Sequence, residues 1–118
     1  MNSDGIDGIY LETHSWRKTA AFLEGLGFTI DFSQDDSGRL LAPGGPYVFV
    51  QEITADRKPD TLLVLGVQDA GAWQPGEQVD VTDPFQETAW GAWEMKVRDP
   101  DGRTWSIQAP RKSSNGRA

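Results

Sequence analysis

Twenty residues near the C-terminus, GAWEMKVRDPDGRTWSIQAP (91–110), constrain this chain more than any other stretch. Apolar and polar side chains alternate on either side of Asp99-Pro100-Asp101-Gly102. Asp at the first turn position accepts local hydrogen bonds, Pro at the second presets φ, and Gly at the fourth takes left-handed backbone. A hairpin closed by that turn pairs Arg98 with Thr104, Val97 with Trp105, Lys96 with Ser106, Met95 with Ile107 and Glu94 with Gln108. Side chains alternate between faces, so one face carries Trp93, Met95, Val97, Trp105 and Ile107. The other carries Glu94, Lys96, Thr104, Ser106 and Gln108. A slip of one residue mixes the two sets, which fixes the register. The apolar face demands a core. The polar face looks into water or into a site.

This stretch has an echo earlier in the chain. APGGPYVFVQ (42–51) lies over DPDGRTWSIQ (99–108) without a gap, turn on turn, with Gln51 on Gln108. GIYLET (8–13) lies over LLVLGV (62–67) at a similar offset. The agreement of order and spacing implies two copies of a unit of roughly 55 residues, each opening with a strand and closing with a Pro-Gly hairpin.

The rest of the chain reads as follows. Residues 1–5 are expected to be loose. Residues 6–13 alternate as a strand, with Ile9, Leu11 and Thr13 on one face and Gly8, Tyr10 and Glu12 on the other. Ser15 caps a helix whose apolar stripe is Trp16, Ala20 and Leu23, with Phe22 and Leu26 beside them. Gly25 and Gly27 end it. Strands are expected at 28–32, 39–42 and 47–53, with turns at Asp35–Gly38 and Pro43–Gly45. ADRKPD (55–60) is the linker, and Thr61 to Val67 is a strand apolar enough to be buried on both faces. Two Gly and a Pro in 69–76 leave the second copy a short helix or none. Gln78 to Val81 is a short strand, Asp83 to Thr88 a loop, and 111–118 a disordered tail. The expected class is α+β: a single domain over 1–118, with modules at 6–54 and 61–110.

Composition closes off several functions. No apolar run approaches the roughly 20 residues of a membrane span, and the N-terminus is too acidic and polar for a signal peptide. There is no cysteine, hence no disulfide and no thiolate metal site or nucleophile. A cytoplasmic location is the default. Net charge is −7, and three of the eleven cations (Arg111, Lys112, Arg117) lie in the tail. Eight cations against eighteen acids leave −10 through Pro110. That argues against nucleic acid, which requires a basic footprint, and is compatible with cationic ligands or with a solubilising surface.

The order of parts resembles the glyoxalase/bleomycin-resistance family, the vicinal oxygen chelate superfamily. The resemblance rests on the helix end Gly25-Leu26-Gly27-Phe28, the second opening strand closing in Val67-Gln68-Asp69, and Trp90-Gly91 followed by VRDPDG (97–102). It spans about residues 6 to 110. It implies two βαβββ modules whose curved, mostly antiparallel sheets enclose a cavity, with two chains cooperating. The family's enzymes hold a divalent metal through side chains on the first and last strands of each module. Those positions fall here on Gly8, Phe49, Leu62 and Ser106. Divalent sites need imidazole, carboxylate or thiolate donors, so the expectation is no metal and no cofactor.

Candidate site residues follow from the faces and the resemblance together. His14, the only histidine, is either a ligand at the strand–helix junction or a polar residue beside the helix N-terminus. Glu12 is either a cavity carboxylate or base, or the partner of Lys96 or an arginine. Trp16, Trp93 and Trp105 fall on core faces, while Trp73 and Trp90 fall in loops, where an indole staples the fold or stacks on a ligand. The expected cavity has an apolar half of Tyr47, Phe49, Leu62 and Trp90 and a polar half of Tyr10, Glu12, Lys96, Ser106 and Gln108. The leading expectation is a non-enzymatic protein that sequesters an aromatic or cationic, antibiotic-like small molecule, as a homodimer. The alternative is a lyase, isomerase or dioxygenase with a displaced metal site, or a metal-free isomerase using Glu12. A structural or regulatory module with a filled cavity is the third.

Overall fold

The computed structural model describes residues 3–110. The tail expected at 111–118 lies outside them. In chain order the elements are β1 (Ile6–Thr13), α1 (Trp16–Gly25), β2 (Thr29–Ser33), β3 (Ser37–Leu41), β4 (Tyr47–Glu52), β5 (Thr61–Gly66), β6 (Asp80–Glu87), β7 (Ala92–Arg98) and β8 (Thr104–Pro110). They form two compact units. One spans Asp7–Leu62; the other joins the residues through Ile6 to those from Leu63 onward. The class is α+β, with eight strands and a single helix among the described residues.

In the first unit the strands lie in the order β2-β3-β4-β1. β1 and β4 are parallel, in a register that sets Gly8 beside Tyr47, Tyr10 beside Phe49 and Glu12 beside Gln51. The helix between β1 and β2 is fixed at its start by side chains. The Ser15 hydroxyl accepts from Lys18 N at 3.3 Å, and Glu52 Oε1 accepts from Trp16 N at 2.8 Å. At its end, Phe28 N donates to Leu23 O at 3.1 Å while Gly27 takes φ +103, the left-handed turn that releases a helix. Trp16, Ala20 and Leu23 are buried against Leu40, Val48 and Val50, with Leu11, Phe28 and Ile30 at the margin. Leu40 and Val50 are fully buried, each stabilising by about 1.5–3 kcal/mol. Gly38 is needed here, because a Cβ on it would strike the Trp16 ring and lie 2.7 Å from Phe32 O.

Two expectations in this unit are corrected. Phe22 and Leu26 do not join the stripe; they are exposed, because the buried set repeats at 16, 20 and 23, and Leu26 follows the last helical residue. The turn at 35–38 is also shorter than expected. β3 begins at Ser37, and the Ser37 side chain is buried.

The second unit repeats the plan as β5-β8-β7-β6, with β5 and β8 parallel. The β7–β8 hairpin has the expected register, from Glu94 beside Gln108 to Arg98 beside Thr104. Its turn closes through Gly102 N to Asp99 O at 2.9 Å, with Gly102 at φ +89. The Asp99 carboxylate accepts from Trp105 Nε1 at 2.9 Å, from the backbone N–H of Arg103 and Asp101, each at 3.0 Å, and from Arg103 Nε at 2.9 Å. These bonds, the one from Trp105 first, hold its carboxyl down at about 2.

Met95, Val97, Ile107 and Ala109 form the core of this unit with Val67. No helix connects β5 to β6. Residues 67–79 run as turns, and Ala70, Trp73 and Val79 pack on the core. Trp73 meets Phe85 edge to face at 6.4 Å, so this indole staples the fold.

Three further expectations change in this unit. Residues 83–88 are not a loop, because β6 runs unbroken from Asp80 to Glu87. It is an edge strand whose register shifts around Pro84, the setting in which a strand tolerates proline. Residues 4 and 5 are not loose: Asp4 N donates to Gly66 O at 2.7 Å and Gly66 N to Gly5 O at 3.1 Å. In β5, Val64 and Gly66 are buried, but Leu62, Leu63 and Leu65 are only half-buried. Among the described residues, no helix is long and apolar enough to cross a membrane.

Candidate functional site

The face of the first unit opposite α1 carries aromatic rings. Tyr10 and Phe49 are cross-strand partners, with centroids 6.3 Å apart and planes within 14°. Phe32 extends the row from Phe49 at 6.5 Å. A shift of register between Ile30 and Phe32 puts Phe32 beside Arg39 on this face, while Ile30 packs on the core. The Tyr47 ring lies against Gly8, filling the space a side chain there would need, and the Arg39 guanidinium stands 6.0 Å from that ring. Arg39 is itself held by both oxygens of Asp31, at 3.1 and 2.7 Å.

Glu12 sits at the end of this face, and both its oxygens are engaged. Oε2 pairs with Arg57 Nη2 at 3.3 Å and Oε1 accepts from Asp60 N at 3.2 Å. Of the expected partners, an arginine holds it. Its side chain is only 11% exposed, so the pair is worth more than a surface bridge of about 0–1 kcal/mol. The Tyr10 hydroxyl donates to Glu12 Oε2 at 3.4 Å. Burial, then the adjacent Glu12 charge, push the Tyr10 phenol above its ordinary value, so it remains a donor at neutral pH. A metal-free isomerase using Glu12 as base would first have to break these contacts. His14 is exposed, and its Nε2 lies 2.7 Å from Arg57 O, beside the loop that carries Glu12's partner. Leu62 is half-buried in β5.

The second unit carries the polar face of the hairpin. Ser106 is fully buried and its hydroxyl donates to Glu94 Oε2 at 2.5 Å. Gln108 Nε2 donates to Ser106 Oγ at 3.1 Å and to Glu94 Oε2 at 3.4 Å. Gln108 Oε1 in turn accepts from Trp90 Nε1 at 3.2 Å. Trp90 is 65% exposed, yet this bond fixes how its ring stands. Register shifts in β6 bring Asp83 beside Lys96 and Gln86 beside Glu94. Asp83, Gln86, Glu87, Thr88, Trp90, Glu94 and Lys96 line a cleft of about 210 Å³. Three carboxylates face one ammonium there, a balance that attracts cations.

The sequence-expected residues therefore gather in two sets. Tyr10, Glu12, Tyr47 and Phe49 meet in the first unit; Trp90, Lys96, Ser106 and Gln108 meet in the second. Arg57 was missed because a linker cation 45 positions from its partner leaves no local signal. Phe32, Asp83 and Gln86 were missed because bulges place them, and strict alternation cannot foresee a bulge.

The positions at which this fold's enzymes would hold a metal do not fit one here. Gly8 has no donor and its space is taken, Phe49 is stacked, Leu62 is apolar, and the Ser106 hydroxyl is committed to Glu94. Among the described residues, no three His, Cys, Asp or Glu side chains converge to hold an ion.

No family model and no curated protein matches the sequence. Solved structures match the fold. A glyoxalase/bleomycin resistance protein/dioxygenase superfamily member from Vibrio splendidus 12B01 superposes with a TM-score of 0.65 at 14% identity, over 86% of this chain and 96% of that one. An NAD-dependent benzaldehyde dehydrogenase from Legionella pneumophila gives 0.65 at 13% identity, over 87% and 97%. A bleomycin resistance determinant encoded on the transposon Tn5 is matched at 19% identity over 86% and 92%, with a TM-score of 0.36. The architecture defines an α+β chain built from a repeated four-stranded plan. Its fold is that of the glyoxalase/bleomycin-resistance proteins. The first two matches carry different activities in their descriptions, so the fold by itself assigns none.

Proposed function

We propose that this chain is a cytoplasmic, homodimeric binding protein that sequesters a small aromatic cation, in the manner of bleomycin-resistance proteins, without catalysis or a metal. The observation that carries the reading is Trp90. An indole this exposed, held by its N–H on Gln108 above a cleft with three carboxylates and one lysine, is preorganised for stacking and cation–π contact. Such contact is worth about 0.5–2 kcal/mol. A volume of about 210 Å³ holds a ring and an ammonium group but only part of a drug-sized molecule, for which about 300–1,000 Å³ is usual. The aromatic row of Tyr10, Phe49 and Phe32 is a second surface suited to flat ligands. Glu12 contributes less than its charge implies, because Arg57 neutralises it.

A thermal-shift screen against cationic antibiotics and small metabolites tests this. A ligand at a hundred times its Kd adds about 2.7 kcal/mol to stability. Trp90→Ala should abolish the shift of each hit and leave the midpoint of the unliganded protein unchanged. Hits that bind Trp90→Ala like the parent, or a hit list without cations, would refute the assignment.

A further inference from the structure

Helix α1 carries its charges against its own dipole. Arg17 and Lys18 stand in the first turn and Glu24 in the last, with no acid at the start and no base at the end. Each helix end favours the opposite sign. Among the described residues, none of these three side chains forms an ion pair. The helix and its C-cap expose two large apolar side chains, Phe22 at 64% and Leu26 at 63%. They stand four apart and are neighbours on the surface. Ala21 and Gly25 lie beside them, both exposed, and a Cβ built on Gly25 meets nothing within 4 Å. A lone exposed apolar residue needs no explanation. Phe22 lies between the cations at 17 and 18 and the acid at 24, and Leu26 follows just beyond Glu24.

We infer that α1 packs antiparallel against α1 of a second copy of this chain. The inference rests on the homodimer proposed above and names its surface. A two-fold axis near Ala21 and Phe22 sets Arg17 and Lys18 of one protomer against Glu24 of the partner subunit, and symmetry repeats the contact. Each misplaced charge then meets its opposite, and the two helix dipoles oppose one another. Ala21 and Gly25 let the axes approach, with Phe22 and Leu26 filling the flanks. The C-terminal residues 111–118 are a poorer occupant. They contain no large apolar side chain, and Arg111, Lys112 and Arg117 would add charge of the sign already at the helix start.

Sedimentation at micromolar concentration should show the parent at twice its 13.0 kDa chain mass. Arg17→Glu with Lys18→Glu should weaken the dimer about tenfold or more, and so should Glu24→Lys, because like charges then face each other. Mixed, the two variants should form a heterodimer where neither forms a homodimer. Phe22→Ser with Leu26→Ser should also give monomers. All these positions are exposed, and an unchanged circular dichroism spectrum confirms the fold. A monomeric parent overturns both the interface and the homodimer. A dimer that survives every variant overturns the interface and leaves the homodimer standing. Weakened variants that fail to pair overturn the antiparallel arrangement. A parent that dimerises only after deletion of 111–118 assigns the face to that segment and overturns the proposal.

Discussion

Replacing Glu94 by Ala should destabilise the protein more than replacing Ser106 by Ala, although both remove the same 2.5 Å hydrogen bond. The asymmetry comes from burial. Ser106 is fully buried, so without Glu94 its hydroxyl proton has lost the acceptor it has in the fold. A charge-assisted bond is worth about 1.5–3 kcal/mol, and an orphaned buried group keeps its full desolvation penalty. Glu94 is only half-buried, and without Ser106 it turns to water and to Gln108. We expect about 2–3 kcal/mol for Glu94→Ala and about 1 kcal/mol for Ser106→Ala. The double variant removes the orphan, so its cost should fall about 1 kcal/mol or more below the sum. For a chain of this length, Glu94→Ala should lower the melting midpoint by about 10 °C. Urea and thermal denaturation followed by tryptophan fluorescence give all three values. Equal single effects that add without coupling would show that the network is surface decoration and that Ser106 does not organise this face.

Two further outcomes follow from charges already paired. Glu12→Gln should leave the affinity of cationic hits within about twofold, because Arg57 already neutralises the carboxylate; calorimetric titration of any hit would measure it, and a large loss would place the cation on Glu12. Asp99 has a lowered folded-state value of about 2, so its contribution to stability is complete above the ordinary carboxylate range near about 4 and is lost as pH falls through about 2. An acid titration of stability should lose that component in Asp99→Asn, and a variant with the parent's profile between these limits would contradict the assignment.

The sequence made the hairpin legible because two independent signals agreed there. Asp99-Pro100-Asp101-Gly102 set the turn, and the strict alternation from Trp93 to Val97 allowed one register. The same logic failed where the backbone breaks its own period. Phe32 changes face at a bulge, and Asp83 and Gln86 reach the cleft through two more. Residues 83–88 read as a loop, but β6 takes them in as far as Glu87, and the strand's place at the sheet edge makes Pro84 acceptable there. Of the site, Ser106, Gln108 and Lys96 were placed by the hairpin alone. The neutralisation of Glu12 was not legible, because Arg57 reaches it from a linker whose conformation no periodicity describes.

The missing helix of the second unit poses the sharpest energetic question, and Trp73 answers it. In the first unit α1 covers the sheet with Trp16, Ala20 and Leu23. In the second, a run of turns must cover Met95, Val97 and Ile107, and Ala70, Trp73 and Val79 do so. One large indole does much of what three helical side chains do. Trp73 is half-buried, so Trp73→Ala should cost about 2–3 kcal/mol, below the range for a fully buried aromatic truncation. Trp73→Phe separates packing from polarity. The Trp73 Nε1 is buried and has no hydrogen-bond partner among the described residues, so the indole N–H carries an uncompensated desolvation cost. Phenylalanine would remove that donor, returning about 1–3 kcal/mol of desolvation, and would lose a similar amount in ring volume and in the edge contact with Phe85. The net change should lie within about 1 kcal/mol of zero. Chemical denaturation of both variants decides it. If Trp73→Phe costs as much as Trp73→Ala, the indole N–H has a partner that matters, and coverage of the sheet by ring volume is the wrong account of how this unit dispenses with its helix.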